Sequence, residues 1–128
     1  MQPLSGVRVL DLSRILAGPH AAQTLSDLGA EVLKLEAPWG DDTRSWGPPF
    51  QVGFDGEEVA AYFLSCNRGK QIETVNIKQE QKRIQALVAD ADIVVENFKP
   101  GTFDAIVGEV PKHVIVCSIS GYGQNGPR

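Results

Sequence analysis

The sequence is short of the residues from which metal centres and disulfide frameworks are built: it has 2 cysteines and 2 histidines in 128 residues. Cys66 and Cys117 show no C-x-x-C spacing, and with His20 and His113 they assemble no zinc set, so no metal is expected. The same scarcity excludes a disulfide-stapled scaffold. Both thiols are expected to be reduced and packed, in a cytoplasmic or organelle-matrix setting. Hydrophobic runs are short as well. None approaches the ~20 residues needed to span a bilayer, and "MQPLSGVRVLDL" lacks a basic signal-like start, so the chain is expected to be neither secreted nor membrane-bound. Positive charge is in deficit, with 12 Lys and Arg against 16 Asp and Glu. That argues against a nucleic-acid partner or an anionic membrane surface, and a phosphorylated ligand would need a local cationic patch.

What is present suits one soluble domain over residues 1–128, with 42% hydrophobic residues available for a core. Residues 7–12 ("VRVLDL") form a β-branched run. The period then lengthens, with Ala21, Leu25 and Leu28 at i, i+4, i+7, which predicts a helix with Pro19 in its first turn and Gly29 just past its end. Residues 31–37 ("EVLKLEA") read as a second strand. Residues 38–58 are rich in Pro, Gly and Asp and predict a long excursion without regular structure, of the kind that is usually functional. A short helix with Ala60, Phe63 and Leu64 follows, then a third strand ("KQIETVNI"). An amphipathic helix with Ile84, Leu87, Val88 and Ala91 precedes a fourth strand ("DIVVENF"). Thr102 is placed to cap a helix that buries Phe103, Ile106 and Val107 and stops at Gly108, before a fifth strand ("HVIVCSIS"). Strands alternating with helices predict an α/β fold, a Rossmann-like parallel sheet of about five strands flanked by helices.

Ligands of such a sheet bind beyond the carboxyl ends of its strands, where this sequence carries "RILAGPH", the Pro/Trp loop, Lys78, "ENFKPG" and "SGYGQNG". Sharp turns use Gly and Pro in any case, but five such loops on one rim point to a ligand site. Lys78, Lys99, Arg68, Lys70 and Arg44 are candidates for the cationic patch, each being an ordinary surface charge when taken alone. Trp39, Trp46 and Phe50 could cover an apolar ligand or anchor their loop. His20, in the first turn of the first helix, reads as a neutral structural residue, and the adjacent Asp41 and Asp42 do not read as a catalytic pair. Gly121, Gly123 and Gly126 match G-x-G-x-x-G behind a strand. Pro127 follows at once, so neither the helix nor the acidic ribose partner of an NAD site is expected there.

The order "GVRVLDLSRILAGP", "LGAEVLKLEAPWGDDTRSWGPPF", "YFLSCNRGKQ", "VNIK", "ADIVVENFKPG" and "ISGYGQNGP" resembles the N-terminal portion of the family III CoA-transferases, the CaiB/BaiF and formyl-CoA transferase group, across the whole chain. The resemblance implies the large Rossmann-like domain of an enzyme that moves coenzyme A between carboxylic acids, as an interlocked homodimer, with acyl-CoA and carboxylic acids as its small-molecule partners. It implies that Leu16, Ala17, Ala37, Val75, Asn76, Ile77, Lys78, Asn97, Phe98 and Lys99 lie along the CoA site. Gly121, Tyr122 and Gly123 would lie near the acyl end. Formyl-CoA transferases carry glutamine at the position of Leu16 and arginine at those of Ala37 and Ala105, so a formyl or oxalate specificity is not expected. The stretch "GDDTRSWGPPF" is more similar to members that use succinyl-CoA and other dicarboxylate thioesters.

Chemistry of this kind uses a carboxylate nucleophile that passes through an anhydride and a CoA thioester on the enzyme. In the family this is an aspartate some tens of residues past the glycine loop. No catalytic residue is therefore expected within this chain, which reads as a truncated portion lacking the nucleophile, small domain and returning C-terminal segment, and inactive by itself. α-Methylacyl-CoA racemases share the fold and are an alternative, as is a non-catalytic CoA-binding remnant. "VENFKPG" looks more like the transferase version.

Overall fold

The computed structural model describes residues 1–127. Its elements in chain order are β1 (Arg8–Asp11), α1 (Ala17–Asp27), β2 (Glu31–Glu36), β3 (Phe50–Val52), β4 (Glu58–Ala60), α2 (Ala61–Cys66), β5 (Gln71–Thr74), α3 (Gln81–Asp90), β6 (Ile93–Glu96), α4 (Thr102–Val107) and β7 (Ile115–Ser118). Five of the strands form one parallel sheet, as the alternating pattern predicted, and their order is β5-β2-β1-β6-β7. The chain steps outward from β1 through β2 to β5, then returns to the other flank of β1 for β6 and β7. That reversal between β1 and β6 is where a sheet of this kind opens a crevice at its carboxyl edge.

Side chains alternate across each strand, so both faces of the sheet are apolar and both are covered. Leu10, Leu12, Leu35 and Val94 pack with Ile84 and Val88 of α3 and Phe103, Ile106 and Val107 of α4. On the other face Val9, Val32 and Val95 pack with Ala22 of α1. β7 is an edge strand, with Ile115 66% exposed. Cys117, two residues on, is therefore exposed rather than packed as expected, whereas Cys66 is buried.

Helix α1 ends as its sequence predicted. Gly29 has φ +106°, its N–H donates to Ser26 O at 2.9 Å, and the Ala30 N–H donates to Leu25 O at 3.0 Å, the paired bonds of a Schellman end. Its buried face differs from the expected Ala21, Leu25 and Leu28. Gly18, Pro19, Ala22 and Gln23 are buried instead, Leu25 is partly covered and Leu28 is exposed. Small residues let the helix lie close to the sheet, and the contact centres on them. Gln23 goes inside because its amide donates to Ser65 O at 2.9 Å and accepts the Arg68 N–H at 2.7 Å.

Two other expectations are corrected. Thr102 is the first helical residue of α4, and Gly101 at φ +91° occupies the cap, because the Thr102 N–H turns back onto Lys99 O at 3.0 Å and that turn needs a left-handed residue. Residues 38–58 are not without regular structure. Asp41 caps a 3₁₀ turn (Asp42–Ser45), and β3 and β4 pair antiparallel with Phe50 opposite Ala60. The excursion docks on α2 through a Trp46–Tyr62 edge contact at 5.4 Å and through Arg44 over the Phe63 ring at 3.9 Å.

Candidate functional site

The carboxyl ends of β1, β2, β5 and β6 enclose a cleft of ≈ 200 Å³. Leu12 and Arg14 follow β1, Ala37 and Trp39 follow β2, Val75 and Ile77 follow β5, and Phe98 follows β6, while Ile84 and Ile106 close the floor from α3 and α4. The wall is apolar apart from Ser13 and Arg14 after β1 and Lys34, Glu36 and Asp41 on its β2 side. Four of the residues assigned to CoA from the sequence, Ala37, Val75, Ile77 and Phe98, are on this wall.

The others lie around it. Leu16 and Ala17 are exposed where α1 begins, and Lys78 and Lys99 are exposed where β5 and β6 run out. The Asn76 carboxamide accepts the N–H groups of Lys78 and Gln79 at 3.1 and 3.2 Å, so it shapes the turn into α3. Asn97 turns its carboxamide to the main chain of Arg14, accepting the N–H at 3.0 Å and donating to the carbonyl at 2.8 Å. Gly121, Tyr122 and Gly123 are exposed and are not part of the cleft wall.

Of the five candidate cations, three have partners. Arg44 forms a two-pronged contact with Glu36, Nη2 to Oε1 at 2.7 Å and Nε to Oε2 at 2.8 Å. Arg68 does the same with Asp27 on the surface. Lys70 is inside the molecule, its Nζ donating to Asp11 Oδ2 at 2.7 Å, Pro19 O at 2.9 Å and Asn67 Oδ1 at 2.9 Å. Lys78 and Lys99 are left exposed after β5 and β6, and Arg14 is among the cleft-wall residues. His20 is exposed, and Asp41 and Asp42 part company, one buried and the other exposed.

Beneath the rim lies a buried polar network that the sequence did not announce. Lys34 is fully buried and donates to Ser13 O at 2.9 Å and Asp41 Oδ2 at 3.2 Å. Asp41 also accepts from the Thr43 N–H at 3.0 Å, the Thr43 hydroxyl at 2.8 Å and the Ile15 N–H at 3.2 Å. Burial pushes the Asp41 carboxyl up, but the Thr43 contacts, Lys34 and the Ile15 amide outweigh it and leave it below the usual carboxylate value. For Lys70 burial wins: it draws the ammonium down despite Asp11 beside it. Lys34 and Asp11 look like solvent-facing charges in "EVLKLE" and "RVLDLS". Both faces of the sheet are covered, so alternation sends them inward beneath α1 instead of into water.

The chain is similar to known proteins over nearly all of its length. A human succinyl-CoA:glutarate CoA-transferase is 50% identical over 99% of this chain, which covers 30% of that protein. A succinate–glutarate CoA-transferase of Agrobacterium fabrum is 46% identical over 98% of the chain and 34% of its own length. The crystal structure of a CaiB/BaiF family protein from Brucella suis superposes with a TM-score of 0.92 at 49% identity, over 98% of this chain and 35% of that one. The chain thus spans about a third of the relatives it matches. The model of CoA-transferase family III matches residues 4–128, and with the fold in agreement the chain belongs to that family.

Proposed function

We propose that this chain forms the CoA-binding, N-terminal part of an enzyme that transfers coenzyme A between an acyl-CoA thioester and a dicarboxylic acid, of the succinate or glutarate type. The observation that carries the reading is the cleft at the β1/β6 switch point, walled by Ala37, Val75, Ile77 and Phe98, with exposed Lys78 and Lys99 next in sequence to the last two. An apolar cleft with exposed cations at its lip suits a nucleotide whose phosphates stay near water. CoA lies along Leu16, Ala17, Ala37, residues 75–78 and residues 97–99, with its acyl end towards Gly121, Tyr122 and Gly123.

The chain binds CoA without turning it over. The two carboxylates in the cleft wall are Glu36 and Asp41, and both are engaged, one by Arg44 and the other by Lys34 and Thr43. A nucleophile needs a free lone pair aimed at the thioester carbon. The transferase acts as a homodimer, with the nucleophilic aspartate supplied from outside these residues.

Backbone amide exchange with and without CoA tests the placement. Protection at residues 75–78 and 97–99 is expected. Protection confined to the groove at the opposite sheet edge, beside Arg8, Glu31 and Gln71, would contradict it. Incubation with succinyl-CoA and glutarate should yield no glutaryl-CoA by mass spectrometry, and steady product formation by the chain alone would refute the non-catalytic part of the reading.

A further inference from the structure

The turn that links β1 to α1 is held by side chains from three other places in the fold. Ser13 N–H donates to Asp11 Oδ1 at 2.9 Å, and Ser13 O accepts from the Lys34 ammonium at 2.9 Å. Arg14 N–H and O are both taken by the Asn97 carboxamide, and Ile15 N–H by Asp41 Oδ2 at 3.2 Å. Five consecutive main-chain groups thus have side-chain partners, drawn from β1, from β2, from the 3₁₀ turn's cap and from the end of β6. Ile15 itself has φ +76°, the one non-glycine residue at positive φ among those described. A β-branched side chain disfavours that conformation, which persists where the surroundings over-determine it.

From this we infer that Asn97 is a positioning residue: it acts on CoA through the turn at Arg14 and Ile15, presetting Leu16 and Ala17, and not by touching the ligand with its own amide. The inference rests on the CoA reading above. Asn97 follows β6 and Arg14 follows β1, so their clamp closes the two strands between which the sheet reverses. A carboxamide satisfies an N–H and a carbonyl at once, which neither aspartate nor alanine does. Its carboxamide oxygen and one amide hydrogen are both taken by Arg14.

Two substitutions separate this role from direct contact. Asn97→Ala should weaken CoA binding to the chain about tenfold, the loss of roughly two hydrogen bonds, and should speed exchange at the Arg14 and Ile15 amides without ligand present. Ile15→Gly removes the conformational penalty of the positive φ. Added to Asn97→Ala, it should restore CoA affinity to within about threefold of the parent, since the turn then holds its shape without the clamp. Affinity unchanged in Asn97→Ala, or lost and not restored by Ile15→Gly, would overturn the inference. Should the parent chain bind no CoA, the proposed function fails, and exchange alone decides the clamp: unaltered protection at Arg14 and Ile15 in Asn97→Ala removes it.

Discussion

At the scale of single residues, the buried charges decide more than the exposed ones. Lys70 and Asp11 have fully buried side chains, and removing one partner strands the other in a medium that cannot solvate it. Lys70→Ala should therefore cost about 3–5 kcal/mol in urea unfolding. Replacing both, Asp11→Asn with Lys70→Met, should cost markedly less, because no charge is left unpaired. A loss for the double variant as large as for the single would contradict the pairing. Asp41 gives a pH signature. Its folded carboxyl lies below the unfolded value of about 3.9, so its stabilisation is present above that value and is lost as pH falls through the lower folded one. Acid titrations of thermal stability should show parent and Asp41→Asn separated by a constant gap above about pH 5, and the gap should narrow below about pH 4. A gap that widens on acidification would reverse the sign.

At the scale of elements, the approach of α1 to the sheet depends on Gly18. A Cβ built there meets Ser13 Cβ at 2.2 Å and Ser13 Oγ at 2.3 Å, so Gly18→Ala should lower stability by about 1–3 kcal/mol through overpacking. Ser13→Ala should fail to rescue it, because the Cβ itself is in the way, whereas Ser13→Gly should restore part of the loss. Thermal unfolding of the three variants is the check. The same close approach explains what could be read in advance. The strands and their parallel arrangement were legible because β-branched runs alternate with helical periods and crossovers are right-handed. The face of α1 was not, since small residues at Gly18 and Ala22 carry no hydrophobic signal although they are the contact. Residues 38–58 resisted for another reason: the 3₁₀ turn and the β3/β4 pair are held by Asp41, Trp46 and Arg44 reaching elements distant in sequence. Local composition shows only Pro, Gly and Asp. Asn97 and Asp41 were legible as polar residues near a rim, but the turn they hold exists only once β1, β2 and β6 are side by side.

At the scale of the whole molecule, an acidic domain with net charge -4 presents a cleft of ≈ 200 Å³, with exposed Lys78 and Lys99 next in sequence to its wall residues Ile77 and Phe98. Such a site should bind an anionic ligand weakly and give it up in salt, because exposed charges are screened and the rest of the protein repels it. The glycines at residues 121–126 are exposed and stand outside the cleft wall. Calorimetric titration of the chain with CoA, NAD and AMP tests this most directly, at low and at moderate salt, in the parent and in Lys78→Ala and Lys99→Ala. The account predicts weak CoA binding that falls with salt and drops several-fold in each lysine variant, with NAD binding no better than AMP. Tight NAD binding, or a CoA affinity indifferent to both lysine changes, would contradict it.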